Sequence, residues 1–511
     1  MIHLIVQASK YLMIFLFLVY TFECFHVFKF EGEEEEQKHI YHVQRTLLFL
    51  FHFDAFLVLY ITTKNFQLIG FYLMQVIIIA AIIGTYHLFY KHASELVLNN
   101  MCMLLTIGFV ILTRISFEKA FRQFIFVCAG FVISLLIPMV LQNMTLFRKL
   151  TWVYVIVGVG ALGVVAIAGQ TSYGAKLSLS IGPLTIQPSE FVKIIFVMFI
   201  ASMLYQRQDF HQVMVTSIFS AVFVLMLVAS KDLGGALLYF FTYLVMVYVA
   251  TRRFVYFGGG ILAMIVASLL GYRLFDHVQA RVQAWSNPLA VIDGAGYQVC
   301  QSLFAIGTGG WFGLGLGQGL PEKIPVVTKD FVFAAISEEL GGVFALCLIM
   351  VCVSCFFMIM NVAMKLRDNY YRLTAVGLGT LYALQVFLTI GGVIKFIPST
   401  GVTLPLVSYG GTSVLSTIIM FAIIQGLYVL REDEEEDIER KKLQRRRTSR
   451  SGSAAGEPAR RERVSRPKEE GRREKPQQTN GWRTEEKGRT QPPKKRTAAS
   501  ERNTGRKKRS Q

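Results

Sequence analysis

Run after run of this sequence stays apolar for the ~20 residues that an α-helix needs to cross a bilayer. Residues 149–170, 211–229 and 405–430 are examples. The runs do not alternate at period two, as the strands of a membrane barrel do, so a β-barrel is excluded. The fold class is therefore an all-α polytopic membrane protein. A soluble chain of 511 residues has no use for 53% hydrophobic and 13% aromatic residues. Thirteen spans are predicted, near 5–28, 43–63, 68–92, 97–115, 121–141, 149–170, 188–206, 211–229, 235–250, 254–274, 333–360, 372–394 and 405–430. The second carries His52 and Asp54 inside it.

Charge separates the chain into a neutral body and a basic tail. Residues 440–511 hold 26 Lys/Arg and 8 Asp/Glu, which is the whole of the +18 excess. Beyond about residue 445 the tail is Arg, Lys, Ser, Gly, Pro and Gln, a composition that cannot bury a core and predicts disorder. Polybasic segments beside a membrane attract anionic lipid headgroups. No aromatics interleave with the basic residues apart from Trp482, so no specific nucleic-acid partner is expected. Lys and Arg in short loops set orientation. With the tail in the cytoplasm, the loops with Arg148/Lys149, Arg207, Arg252/Arg253 and Lys365/Arg367/Arg372 are all cytoplasmic. The longest loop, 275–332, then faces outside.

Seven cysteines give no disulfide or metal pattern; six lie in apolar runs, and Cys300 sits alone in the long loop. The first apolar run has no small-residue cleavage site after it and reads as an uncleaved helix. The stretch "GTGGWFGLGLGQG" (307–319) does not follow a strand of a βαβ unit, so it is not a nucleotide loop. Its glycines suit tight turns and close approach to a ligand at the outer leaflet.

Ionisable residues at membrane depth cost roughly 2.5–3.5 kcal/mol on insertion scales, so they pair or line a polar cavity. Glu190 and Lys193 stand three apart on one helix face in "IQPSEFVKII". Lys231 and Asp232 lie at the mouth of two spans, and Lys395 precedes a helix broken by Pro398, Gly401 and Pro405. Asp330 comes directly before a long apolar run that contains Glu338 and Glu339. Each alone is explained by a structural ion pair. Their shared sidedness points to a site.

These segments resemble the SEDS proteins (shape, elongation, division and sporulation), the family of FtsW, RodA and SpoVE. The resemblance rests on "GAKLSLSIGPLTIQPSEFVK", "KDLGGAL", "RVQAWSNP", "GYQVCQSLFAIGTGGWFGLGLGQG", "TKDFVFAAISEELG" and "IPSTGVTLPLVSYGGTS", in family order. It implies a ten-helix SEDS-like catalytic core over 97–430, preceded by an N-terminal extension of three helices (1–96) and followed by the basic tail (431–511). It also implies a peptidoglycan glycosyltransferase that polymerises lipid II at the outer membrane face, in division, elongation or sporulation, beside a class B penicillin-binding protein that crosslinks the glycan. By this resemblance Asp330 is the essential acid and Glu190 and Lys193 belong to the QPSE-x-x-K motif. Arg122 matches a basic position that can face that glutamate. The sequence departs from the family at Leu177 and Ser178, which replace an arginine and a tryptophan, and at Lys231, Lys329 and Thr389.

The expected chemistry joins two sugars. Asp330 takes the proton of an acceptor hydroxyl that attacks the anomeric carbon of a lipid-diphosphate donor. Cations then surround the leaving diphosphate. Lys176, Lys193, Arg122, Lys329 and Lys395 are the candidates, with Glu190, Asp232 and Glu339 as positioning or binding acids. No cofactor is demanded by the sequence, although a divalent cation could assist. A lipid II transporter using the same cavity, or a non-catalytic scaffold for a transpeptidase, are the alternatives.

Overall fold

The computed structural model describes residues 2–30, 32–141, 147–172, 175–181 and 184–454, with the side chains of 171–177, 181, 184, 437, 439 and 445–454 outside the description. Met1–Arg445 form one compact unit, and a second begins at Arg446. The apolar runs become helices. They begin with α1 (Ile2–His26), α2 (Glu34–Thr63), α3 (Gln67–Phe89), α4 (Glu95–Ile115), α5 (Phe117–Leu141) and α6 (Thr151–Ala168). After a small sheet come α7 (Ser189–Leu204), α8 (Phe210–Ala229), α9 (Leu233–Thr251) and α10 (Phe254–Leu274). The long loop folds into α11 (Asp276–Ser286) and α12 (Tyr297–Gly309), followed by α13 (Val332–Lys365), α14 (Asn369–Val393) and α15 (Gly411–Ala454). Among the described residues twelve helices are long and apolar enough to cross a membrane. The thirteenth expected span is α7, only 16 residues long, ending at Leu204 and beginning at Ser189 after the turn at Pro188.

Helix α4 is buried throughout its central window, Asn99 and Asn100 included, so it forms the middle of the bundle. Helix α10 is the opposite case: none of its residues is buried, and it packs only on α9 and α11 among the closer neighbours. The sequence predicts no strands, yet residues 170–186 fold as an antiparallel meander, β1 (Gln170–Ser172), β2 (Ala175–Ile181) and β3 (Leu184–Ile186). The alternation in "LSLSI" was its signal. Cys300 is buried in α12, not exposed in a loop, and all seven cysteines are free.

The N-terminal extension is part of the same unit. Helix α1 packs on α2 and α13, and α2 packs on α4. The polar residues of α2 are explained by partners within it. Ser9 donates to Asp54 Oδ2 at 2.6 Å, and His52 Nε2 lies 3.0 Å from Gln75 Oε1 on α3.

Two non-helical segments interrupt the bundle at the end that carries residues 275–331. One is the glycine loop 310–319. The other is 394–410, which delays α15 from the expected 405 to 411. Irregular backbone at membrane depth survives only where protein satisfies it. Gln385 Nε2 donates to Thr403 O at 3.0 Å, Thr389 Oγ1 to Val402 O at 2.9 Å, and Gly410 N to Gln123 Oε1 at 3.2 Å. The glycine loop is satisfied by α13. Leu314 N donates to Glu338 O at 3.0 Å and Gly315 N to Glu339 O at 2.8 Å, just before a kink where Gly341 takes φ 89°. The tight glycine turns thus serve close approach to the protein's own helix.

Gly341 adopts a left-handed conformation, and an added Cβ would stand 2.4 Å from Gly313 N. Gly341→Ala is expected to cost about 1–3 kcal/mol from backbone strain before any repacking. The check is the thermal unfolding midpoint of the detergent-solubilised protein, which should fall. An unchanged midpoint contradicts a locked kink.

Candidate active site

Asp330 lies in the last turn before α13, half-buried. Its position is set by the backbone on either side: Tyr409 N donates to Thr328 O at 2.7 Å, and Ser408 Oγ to Lys329 O at 2.6 Å. Lys119 on α5 adds a hydrogen bond to Thr328 Oγ1 at 3.1 Å. Among the described residues no hydrogen bond or ion pair occupies the Asp330 carboxylate. Burial pushes its pKa up to about 6, against the opposing pull of Lys329 and Arg281.

Arg281 is the residue that reading the sequence missed. It sits on α11, and an added Cβ on Gly401 would lie 3.6 Å from Arg281 Nη2 and 3.8 Å from Asp330 Oδ2. Guanidinium and carboxylate therefore approach one another across a single glycine, whose φ of 78° admits little else. Helix α11 lies on the second irregular segment along one face. Arg281 Nη1 donates to Ser399 O at 3.2 Å, and Trp285 Nε1 to Lys395 O at 3.2 Å. His277, Arg281 and Trp285 stand at the i, i+4, i+8 spacing that places them on that face. That spacing was the available signal. The His277 pKa is lowered by burial, then by Arg281 and Lys231. His277 Nε2 and Thr400 Oγ1 are buried without a partner among the described residues.

Asp232 caps α9 through Gly235 N at 2.9 Å. Burial raises its pKa; the Gly235 amide opposes that, Glu190 adds to it, and Arg281 opposes it. Asp232 is thus within electrostatic reach of Glu190 and of Arg281. Glu190, in the first turn of α7, accepts from Lys193 Nζ at 2.7 Å and from Ser416 Oγ at 3.2 Å. Lys193 Nζ also donates to Gln385 Oε1 at 3.0 Å. This motif ties α7 to α14 and α15 and, through Gln385, to the segment that carries Gly401.

Glu190 meets Lys193, and α9, which Asp232 caps, touches Thr400 through Gly234, next to the Gly401 that Asp330 and Arg281 flank; other candidates lie apart. Arg122 is turned outward and pairs with Glu118 at 2.6 Å, not with Glu190, whose partner is the lysine one turn along its own helix. Glu339 is not open to a substrate. It is 1% exposed, with Oε1 on Arg114 Nε at 3.1 Å and Oε2 on Gly317 N at 3.1 Å. Lys193 is likewise enclosed by protein partners and not free to meet a diphosphate. Burial pushes the pKa of the Cys300 thiol of α12 up, and nearby Lys395 opposes that shift. Lys176 pairs with Thr171 in β1–β2, and its side chain lies outside the described residues. Among the described residues no three His, Cys, Asp or Glu side chains gather as metal ligands.

The family model described as FTSW_RODA_SPOVE, cell cycle protein, matches residues 87–432. The chain belongs to this family. Peptidoglycan glycosyltransferase RodA of Mycobacterium tuberculosis is 32% identical over 374 residues, covering 67% of this chain and 80% of that protein. Stage V sporulation protein E of Bacillus subtilis is 30% identical over 352 residues, covering 63% and 92%. The fold matches a solved structure described as structural coordination of polymerization and crosslinking by a peptidoglycan synthase complex, at TM-score 0.56 and 23% identity, over 66% of this chain and 98% of the other. It also matches the rod shape determining protein RodA of Thermus thermophilus at TM-score 0.52 and 22% identity, over 66% and 96%. The ten helices from α4 to α15, less α11 and α12, are the family core, and α1 to α3 lie almost wholly before the matched region.

Removing one partner of a buried ion pair strands the other charge. Glu190→Gln is expected to destabilise by about 3 kcal/mol, and the double variant with Lys193→Met by less than the sum of the two single changes. Thermal unfolding of the four proteins checks this, and strict additivity contradicts the pairing.

Proposed function

We propose that the chain polymerises lipid II into glycan strands, with Asp330 as the general base. It is a peptidoglycan glycosyltransferase acting in cell-wall synthesis. The observation that carries the residue assignment is the half-buried Asp330 carboxylate, unpaired and beside Arg281 across Gly401. A hydroxyl attacks well only as its proton leaves, and a carboxylate with a pKa near 6 is ionised at neutral pH yet more basic than a solvated one. The acceptor hydroxyl gives its proton to Asp330 as its oxygen attacks the anomeric carbon. The bond to the diphosphate breaks, and negative charge builds on the departing lipid diphosphate.

Arg281 is the cation best placed for that charge, with Lys329 beside it; a planar guanidinium suits phosphate oxygens. Lys329 and Lys395 remain candidates beside Arg281, whereas Arg122 is turned away toward Glu118. A divalent cation carried by the diphosphate itself would add to them. Glu190, Lys193 and Asp232 hold the floor of the site in place. The pattern of basic loops favours an outward-facing site and a cytoplasmic tail. The solved complex that shares this fold is described as coordinating polymerization and crosslinking, which supports a crosslinking partner; the one expected from the resemblance is a class B penicillin-binding protein.

Purified protein with lipid II tests the proposal through its pH profile. The polymerisation rate should halve on the acid side near pH 6. Arg281 holds the Asp330 pKa down, so Arg281→Gln should raise that pKa, move the acid limb to higher pH and lower the maximal rate. A flat profile between about pH 5 and 8 contradicts a carboxylate base. Lipid movement across vesicles without polymer would support transport instead.

A further inference from the structure

We propose that α1, which precedes the family core, is a built-in positioning helix for the polymerase site. It acts by holding the glycine loop against the kink of α13. The inference rests on the polymerase reading and adds a function for the extension.

Leu314 N and Gly315 N donate to Glu338 O and Glu339 O. These bonds close a ring of chain that runs from the glycine loop through Asp330 and back up α13. The ring is tightened by Leu320 N on Glu338 Oε1 at 3.1 Å and Gly317 N on Glu339 Oε2 at 3.1 Å. Arg114 of α4 reaches Glu339, Glu322 and Gly319 O, each at 3.0–3.1 Å. Everything so far lies within the core.

The far side of the closure point is held by α1. Lys10 Nζ donates to Gly313 O at 3.2 Å, and Gln7 Nε2 to Leu314 O at 3.3 Å. Tyr11 packs on Phe312 with ring centroids 5.9 Å apart, and the Lys10 ammonium lies 4.8 Å from the Tyr11 ring. An added Cβ on Gly315 would lie 3.0 Å from Val6 Cγ1, so helix and loop are in close contact. Lys10 is 7% exposed. A lysine buried at membrane depth is costly, and this one spends its charge on the carbonyl of the loop. Helix α1 is itself anchored by Ser9 on Asp54 of α2 and by its packing along α13. Asp330 thus sits in a ring whose closure is gripped from both sides.

Lys10 is accordingly a positioning residue that acts through the loop. Full-length Lys10→Met, Lys10→Arg and Gln7→Leu proteins would be compared with wild type for kcat and KM on lipid II, and for amide hydrogen exchange across 311–319. Lys10→Met is expected to lower kcat about tenfold with KM within about twofold, as for a displaced catalytic group. Exchange at Gly313, Gly315 and Gly317 should accelerate about tenfold, while the later turns of α13 stay protected. Lys10→Arg, which keeps a donor, should recover most of both. If Lys10→Met does not fold, Gln7→Leu carries the same two readouts at about threefold. Unchanged kcat, unchanged loop exchange, or equal loss in Lys10→Arg and Lys10→Met overturns the proposal. If wild type makes no glycan, the polymerase reading is what fails, and the exchange data alone decide whether α1 holds the loop.

Discussion

Two hydrogen bonds hold the working end of this protein together. Tyr409 N meets Thr328 O and Ser408 Oγ meets Lys329 O. They join the irregular stretch 394–410 to the turn that carries Asp330. Irregular backbone in a helical bundle needs such partners from the protein itself. Where the seam forms, Asp330 is fixed at its edge. Arg281 reaches the same edge because α11 lies along residues 395–399. The polar floor beneath, Glu190 with Lys193 and Gln385, ties that irregular stretch to α7 and α14.

Much of this was legible in the residues. Apolar runs placed the helices, and the breaks at Pro398, Gly401 and Pro405 foretold the second irregular stretch. Asp330 stood out as an acid at the start of a span. What was hidden is pairing. The resemblance let Arg122 face Glu190, but Arg122 pairs with Glu118, and Glu190 meets Lys193, which the i, i+3 spacing had already put on its face. The glycines of 307–319 suit close approach, but composition cannot say to what; the structure answers with Glu338, Glu339 and Gly341 of α13. Arg281 lay inside a quoted motif and went unassigned, because a charge in a loop is ordinary until the loop folds as a helix along residues 395–399. The strands β1 to β3 were passed over, although "LSLSI" alternates at period two.

Glu339 illustrates why a family position needs its surroundings. A carboxylate inside a membrane span invites a functional role. Here both oxygens are taken, by Arg114 and by Gly317 N, and the side chain is enclosed. Its work is to hold a loop. Asp330 differs in every respect that matters for chemistry: it is partly open, it lacks a direct partner among the described residues, and cations flank it without pairing to it.

The central claim is that this one carboxylate accepts the proton in sugar–sugar bond formation. Asp330→Asn keeps its size and removes its basicity. Given lipid II, the purified variant should bind it as wild type does and yield no glycan strand in gel analysis of the products. Strands of normal length and rate from Asp330→Asn would contradict the account.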